Sequence, residues 1–330
     1  MITQVHTHTA VDLAAVRAAQ ARLSAHARVT PLIPSRVLSE TSGGAVFLKL
    51  ENLQLTGSFK FRGAFNKIAT LPPLTQQRGV ITVSAGNHAQ GVALYARLLG
   101  LDATVVMPLS APRSKQAATC GYGARVQLCG ETFDAARAAM QEQAAVRGLT
   151  VVDPYDDPAV IAGQGTIGLE LLAALPNLDT LVVPIGGGGL IAGIALVARA
   201  LSPHTRIVGV QSQAVHGMAA SVAARQLTTH RDGSTIADGT AVATPGTLTF
   251  AMTQALVDDI VLVSELEIRQ AMAVLAQRHK VVAEGAGALT SAALLFDKLP
   301  PGVRVGKRIA AVVSGGNVDL PVLAAICQDA

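Results

Sequence analysis

Eight short apolar runs constrain this chain more than any other feature: VFLKL at 46–50, VITVS at 80–84, TVVMP at 104–108, RVQLC at 125–129, TLVVPI at 180–185, IVGVQ at 207–211, IVLVS at 260–264 and IAAVVS at 309–314. Runs of this length, rich in β-branched residues and separated by helical patterns, read as buried strands that alternate with helices. That alternation predicts an α/β fold with parallel sheet and helices on both faces. A further helix is expected over residues 11–25. No fixed-period repeat, low-complexity tract or linker divides the chain, and its 50% hydrophobic content supplies ample core. The expected organisation is two doubly wound α/β domains that share the chain discontinuously. Residues 1–67 and 156–330 form the larger and 68–155 the smaller, because the N-terminal segment has no complete sheet of its own.

Several function classes lose support at once. Net charge is only +4, the basic residues are scattered, and 3% aromatic content with no Trp leaves little to stack on bases, so nucleic acid is not an expected partner. Residues 181–198, LVVPIGGGGLIAGIALVA, have the length and hydropathy of a membrane span. Pro184 and four consecutive glycines instead read as a buried strand, a turn and a buried helix, so no membrane is expected. The N-terminus has no basic segment followed by an apolar core and reads as no secretory signal. Cys120, Cys129 and Cys327, odd in number and unrelated in spacing, fit reduced thiols in a cytoplasm better than disulfides or a zinc site.

In open parallel sheets, ligands sit beyond the carboxyl ends of the strands. Three of the runs end in small polar or glycine clusters, SAGNHAQG at 84–91, GGGGL at 186–190 and SGGN at 314–317, and all three should face one crevice. The GGGGL cluster follows a strand and opens a helix. A tight turn needing glycine is one reading, but four glycines in a row favour backbone N–H groups bared for a phosphate. A dinucleotide fits poorly: G-x-G-x-x-G fails at Ile191 and Ala192, and the acidic residue expected about twenty residues on is missing, the next strand ending at Gln211. No G-x-x-x-x-G-K-[ST] is present either.

A second signal lies in TGSFKFRGAFNK, residues 56–67. Ser58 is placed to cap a helix, which puts Lys60 and Arg62 in or near its first turn, where the partial positive charge of the helix start disfavours cations. Lys60 also lies between Phe59 and Phe61. An exposed lysine whose stem covers Phe59 is the plain alternative. A shielded lysine together with a small phosphate-bearing group points to pyridoxal phosphate held as a Schiff base.

LKLENLQLTGSFKFRGAFNK, SAGNHAQG, GGGGLIAG and SGGN, in that order, resemble the motif set of the fold-type II pyridoxal phosphate enzymes, which include threonine and serine dehydratases, serine racemase and the tryptophan synthase β chain. The resemblance runs from about residue 12 to the C-terminus. Within that group DPYDDPAVIAGQGTIGLE at 153–170, GVQSQAVHGMAAS at 209–221 and KVVAEGAGA at 280–288 are most similar to the short catabolic threonine dehydratases, which lack a C-terminal regulatory domain.

The resemblance implies roles position by position. Lys60 carries the cofactor and afterwards takes the substrate Cα proton. Asn87 bonds the pyridoxal 3′ oxygen, Phe59 packs on the ring, and Gly186, Gly187, Gly188, Gly189 and Leu190 bind its phosphate. Ser314 meets the ring nitrogen; a neutral hydroxyl there makes the ring a weaker electron sink than a carboxylate would. Ser84, Ala85, Gly86, Asn87 and His88 form the substrate carboxylate loop, although a histidine at a helix start is more often structural. Gly239 and Glu284 resemble positions near the substrate.

The implied reaction is dehydration and deamination of L-threonine to 2-oxobutanoate and ammonia, and of L-serine to pyruvate and ammonia. A homodimer or homotetramer is implied, and AMP as an activator, as in some relatives. A serine racemase, a hydroxyaspartate dehydratase and a non-catalytic amino-acid or nucleotide sensor are the alternatives. Serine racemases carry two acidic divalent-cation ligands after the strand ending at 211; this chain has Gln211 and His216, so no metal is expected. Racemases also place a serine immediately before the Gly-Asn pair, where this chain has Ala85.

Overall fold

The computed structural model of the chain describes residues 11–304 and 306–329. Its strands are β1 Leu32–Pro34, β2 Ala45–Leu50, β3 Val80–Val83, β4 Ala103–Met107, β5 Arg125–Leu128, β6 Thr150–Val151, β7 Thr180–Pro184, β8 Arg206–Ser212, β9 Asp259–Val263 and β10 Arg308–Val313. They form a six-stranded sheet in the order β1-β2-β10-β7-β8-β9 and a four-stranded sheet in the order β5-β4-β3-β6. Every pairing is parallel except β1 with β2.

All eight expected strands are present, shifted at their ends by no more than two residues. The two that the sequence did not announce, β1 and β6, are three and two residues long, too short to leave an apolar run. The helix expected over 11–25 is Leu13–Leu23, started by Asp12, whose Oδ1 accepts from the Ala15 N–H at 2.8 Å. The first ten residues, on which the reading of no secretory signal rests, lie outside the described residues.

The residues of β3, β4 and β7 are buried throughout, as strands covered by helices on both faces must be. Strand β5, at the edge of its sheet, leaves Arg125, Gln127 and Leu128 exposed. The stretch with the hydropathy of a membrane span resolves into β7, a turn and the helix Gly189–Leu201. Among the described residues, no helix is long and apolar enough to cross a membrane.

The chain starts in the six-stranded sheet with β1 and β2, leaves it for β3 to β6, and returns with β7 to β10. The carboxyl ends of β3, β7 and β10 each run into one of the small-residue clusters, and side chains at these ends bond across the gap between the sheets.

Candidate active site

Lys60 is the first residue of the helix Lys60–Ala69. Ser58 does not cap that helix. The residue ahead of it is Phe59, itself in helical backbone with no side-chain cap, while Ser58 bridges Gly315 through its backbone and its buried hydroxyl has no partner among the described residues. The pairing with the β10 end overrides the local capping preference and anchors the helix start: the Phe59 N–H donates to the Ser314 carbonyl at 3.1 Å. The Lys60 amine lies 5.3 Å from the centre of the Phe59 ring and donates to the Pro154 carbonyl at 2.6 Å. Burial lowers its pKa to about 8, against the opposing pull of Asp153 and Glu284. A neutral amine is therefore accessible near physiological pH.

The glycine cluster forms a bare cradle. None of the N–H groups of Gly186, Gly187 and Gly188 finds an acceptor among the described residues, and Gly189 and Leu190 begin the helix Gly189–Leu201, where N–H groups have no partner within the helix. Three of these glycines resist a side chain, Gly189 because a Cβ there would lie 2.8 Å from the Tyr155 carbonyl oxygen. Gly188 sits at φ +99, and a Cβ on Gly187 would lie 2.3 Å from the Tyr155 ring. The Thr249 hydroxyl holds the loop from behind by donating to the Gly187 carbonyl at 2.6 Å. Bared N–H groups and the positive end of a helix suit a phosphate.

The cluster after β3 completes the opposite wall. Asn87 begins the helix Asn87–Leu98. Its Nδ2 donates to Glu284 Oε1 at 2.5 Å, and its Oδ1 accepts from Asn317 Nδ2 at 2.7 Å, so this one side chain ties the end of β3 to the end of β10. The Ser84 hydroxyl accepts from the Gly86 N–H at 3.2 Å. Ala85 is partly buried, and a Cβ on Gly86 would meet nothing within 4 Å, which marks open space at the loop. A Cβ on Gly239 would lie 3.6 Å from Glu284 Oε1, and one on Gly186 would lie 3.0 Å from Thr240 Cα. The three clusters expected to face one crevice are linked by contacts: Asn87 bonds Asn317, and the turn at Gly239 and Thr240 joins Gly186 to Glu284.

Three members differ in their surroundings. His88 is buried, and its Nε2 lies 2.9 Å from the Val152 carbonyl; burial and the neighbouring Lys60 lower its pKa to about 4, so it is neutral. Burial, then Asp238, pushes Glu284 up to about 8, against the hydrogen bond from Asn87. The Ser314 hydroxyl donates to the Ala286 carbonyl at 3.2 Å, so it must rotate to donate to any ligand.

A buried amine of lowered pKa and a glycine loop with bared N–H groups together suit pyridoxal phosphate. The family described as "Pyridoxal-phosphate dependent enzyme" matches residues 23–315. This chain belongs to that family. A catabolic L-threonine dehydratase of Staphylococcus aureus (strain USA300) is 53% identical over 319 residues, covering 96% of this chain and 92% of that protein. Among solved structures, the T.th. threonine deaminase superposes with a TM-score of 0.87 at 39% identity, over 94% of this chain and 99% of its own. Maize serine racemase superposes with a TM-score of 0.92 at 36% identity, over 97% and 98%. The fold-type II architecture and the dependence on pyridoxal phosphate follow from membership of the pyridoxal-phosphate family.

Sequence reasoning missed several residues that build this family site. Pro154 offers the lysine its carbonyl, Tyr155 backs the cradle, and Asp156 accepts from the Thr247 and Thr249 N–H groups at 3.0 Å each. The acidic run DPYDD between β6 and a helix was the available signal, since carboxylates in such a connection cap neighbouring backbone. Asn317 was visible only as the last letter of SGGN.

Proposed function

We propose that this chain is a pyridoxal-phosphate-dependent lyase that converts L-threonine to 2-oxobutanoate and ammonia, and L-serine to pyruvate and ammonia. The observation that carries the reading is the Lys60 amine, brought to about 8 by burial and held at the Pro154 carbonyl beside the cradle of residues 186–190. The relatives' activities support it.

When bound, pyridoxal phosphate would supply an electron sink that draws density away from the substrate Cα. The chain's own residues do the rest. Gly186, Gly187, Gly188, Gly189 and Leu190 hold the phosphate with backbone N–H groups. Phe59 packs against the ring, Asn87 has a second Nδ2 hydrogen for the 3′ oxygen, and Ser314 serves the ring nitrogen. Ser84, Ala85, Gly86 and the N–H groups that open the helix at Asn87 and His88 hold the substrate carboxylate, with Gly239 and Glu284 at its flank. Lys60 takes the Cα proton as a neutral amine. Loss of that proton and of the β-hydroxyl removes one water, and hydrolysis of the released enamine gives the ketoacid and ammonia.

Dehydration is favoured over racemisation by one position. Racemisation needs a proton donor on the face opposite Lys60; Ala85, at that position, has no exchangeable proton. The two sheets belong to two domains, residues 1–67 with 156–330 and residues 68–155, which close on the amino acid. A cytoplasmic setting suits the three free cysteines, and a homodimer or homotetramer with AMP as activator is what the resemblance to short catabolic threonine dehydratases implies. A ketoacid assay across β-hydroxy amino acids, with and without AMP, tests it: no ketoacid from either L-threonine or L-serine would sink the lyase.

A further inference from the structure

The helix Arg113–Gly121 packs on the four-stranded side, against the helix Asn87–Leu98 and β5. From its first turn Lys115 reaches across the gap between the sheets, and its Nζ donates to Asp238 Oδ2. Among the described residues this is the single side-chain bond from that helix to the six-stranded side; Gln116 and Thr119 bond to carbonyls of their own segment, and Arg113 and Ser114 make no side-chain hydrogen bond.

Asp238 opens the short turn Asp238–Thr240, which is part of the site. The middle residue of the turn, Gly239, faces Glu284 and Asn87, and the last, Thr240, lies against Gly186. Lys115 is therefore two contacts from the pair that ties the two walls together. The Lys115 and Asp238 side chains are 32% and 52% exposed, and ion pairs so open to water add little to folding stability. Location gives this one its meaning. Burial and then Asp238 raise the Glu284 pKa to about 8, and Lys115 opposes them, so the cation that grips the turn also offsets the charge that bears on the buried carboxyl.

We propose that Lys115 is a positioning residue: its pair with Asp238 latches the four-stranded side onto the turn that carries Gly239 and so keeps the Asn87–Glu284 contact closed over bound substrate. The latch is polar and wet, which lets it open to admit an amino acid and re-form behind it. Its kinetic consequence rests on the lyase reading; its structural consequence does not.

Lys115→Met, Asp238→Asn, the double variant and Lys115→Arg test it by two readouts. In the cofactor-free protein, amide exchange over residues 113–121 and 236–242 should accelerate about fivefold in Lys115→Met and return towards wild type in Lys115→Arg, with the thermal midpoint nearly unchanged. In the holoenzyme, kcat/KM for L-threonine should fall about tenfold in Lys115→Met, carried mainly by a rise in KM, and the double variant should be no worse than the poorer single variant. Unchanged exchange, a loss in Lys115→Arg equal to that in Lys115→Met, or fully additive losses in the double variant would overturn the latch. If the wild type makes no ketoacid, the lyase reading fails, while the exchange measurement still decides whether the latch exists.

Discussion

Two cations stand two residues apart in the same helix, and their surroundings are opposite. Arg62, 1% exposed, matches its guanidinium to two carboxylates: Nε donates to Glu51 Oε2 at 2.8 Å, Nη1 to Glu170 Oε1 at 2.6 Å, and Nη2 to Glu51 Oε1 at 2.9 Å. Lys49 joins the same cluster, donating to Glu170 Oε2 at 2.5 Å. Burial works against the Arg62 charge, but Glu51 and Glu170 outweigh it and raise the pKa above its ordinary value. Among the described residues, Lys60 has a carbonyl for its partner and no carboxylate within hydrogen-bond reach. Burial then wins and lowers its pKa to about 8. A buried cation with carboxylates around it is a structural element; one with only a carbonyl can give up its proton. The difference separates scaffold from chemistry within one turn.

The largest effect that would break this contrast is on activity. Lys60→Ala removes the covalent anchor and the base together, and ketoacid production should fall by several orders of magnitude with the circular dichroism spectrum unchanged. Near wild-type rates would place the chemistry elsewhere. Arg62→Met should show the reverse pattern. It leaves Glu51 buried without its counter-charge, which costs about 3 to 5 kcal/mol when one partner of such a pair is lost. Urea unfolding measures this, and a loss below ~1 kcal/mol would remove the structural role assigned to the cluster.

The pH dependence sharpens the comparison. In the cofactor-free protein the Lys60 pKa falls on folding from 10.5 to about 8, so the unfolded chain holds more protons between those values and stability rises with pH through that window. Below pH 8 the penalty is full. Lys60→Met should therefore stabilise the cofactor-free protein at pH 7, by at most about 3 kcal/mol, and the gain should vanish towards pH 10.5. A destabilised Lys60→Met protein at pH 7 would contradict the desolvation account.

Part of this contrast was legible in the sequence. The alternation of apolar runs pointed to the parallel sheets, and the glycine cluster and the lysine between two phenylalanines marked a loop with bared N–H groups and a buried amine, because each reflects a local backbone or burial demand. The capping role read for Ser58 failed because a partner more than 250 residues away, Gly315, claims its backbone. The carbonyl of Pro154, the buried pairing of Arg62 with Glu170, and the Lys115–Asp238 contact were not legible, since each joins elements distant in sequence with no shared motif.

Two smaller effects concern groups this chain lacks. L-serine should yield pyruvate with no detectable D-serine by chiral chromatography, because Ala85 offers no proton; D-serine forming as fast as pyruvate would refute that. EDTA should leave activity unchanged, because the Gln211 side chain accepts from the Ala219 N–H at 2.8 Å where an acidic ligand would stand. Loss of activity on chelation, restored by magnesium, would show a site elsewhere.

The most direct test of the central claim is to reduce the holoenzyme with borohydride and locate the phosphopyridoxyl group by peptide mass spectrometry. The account predicts loss of the visible absorbance and a single modified residue, Lys60. Modification at any other lysine, or none at all, would contradict it.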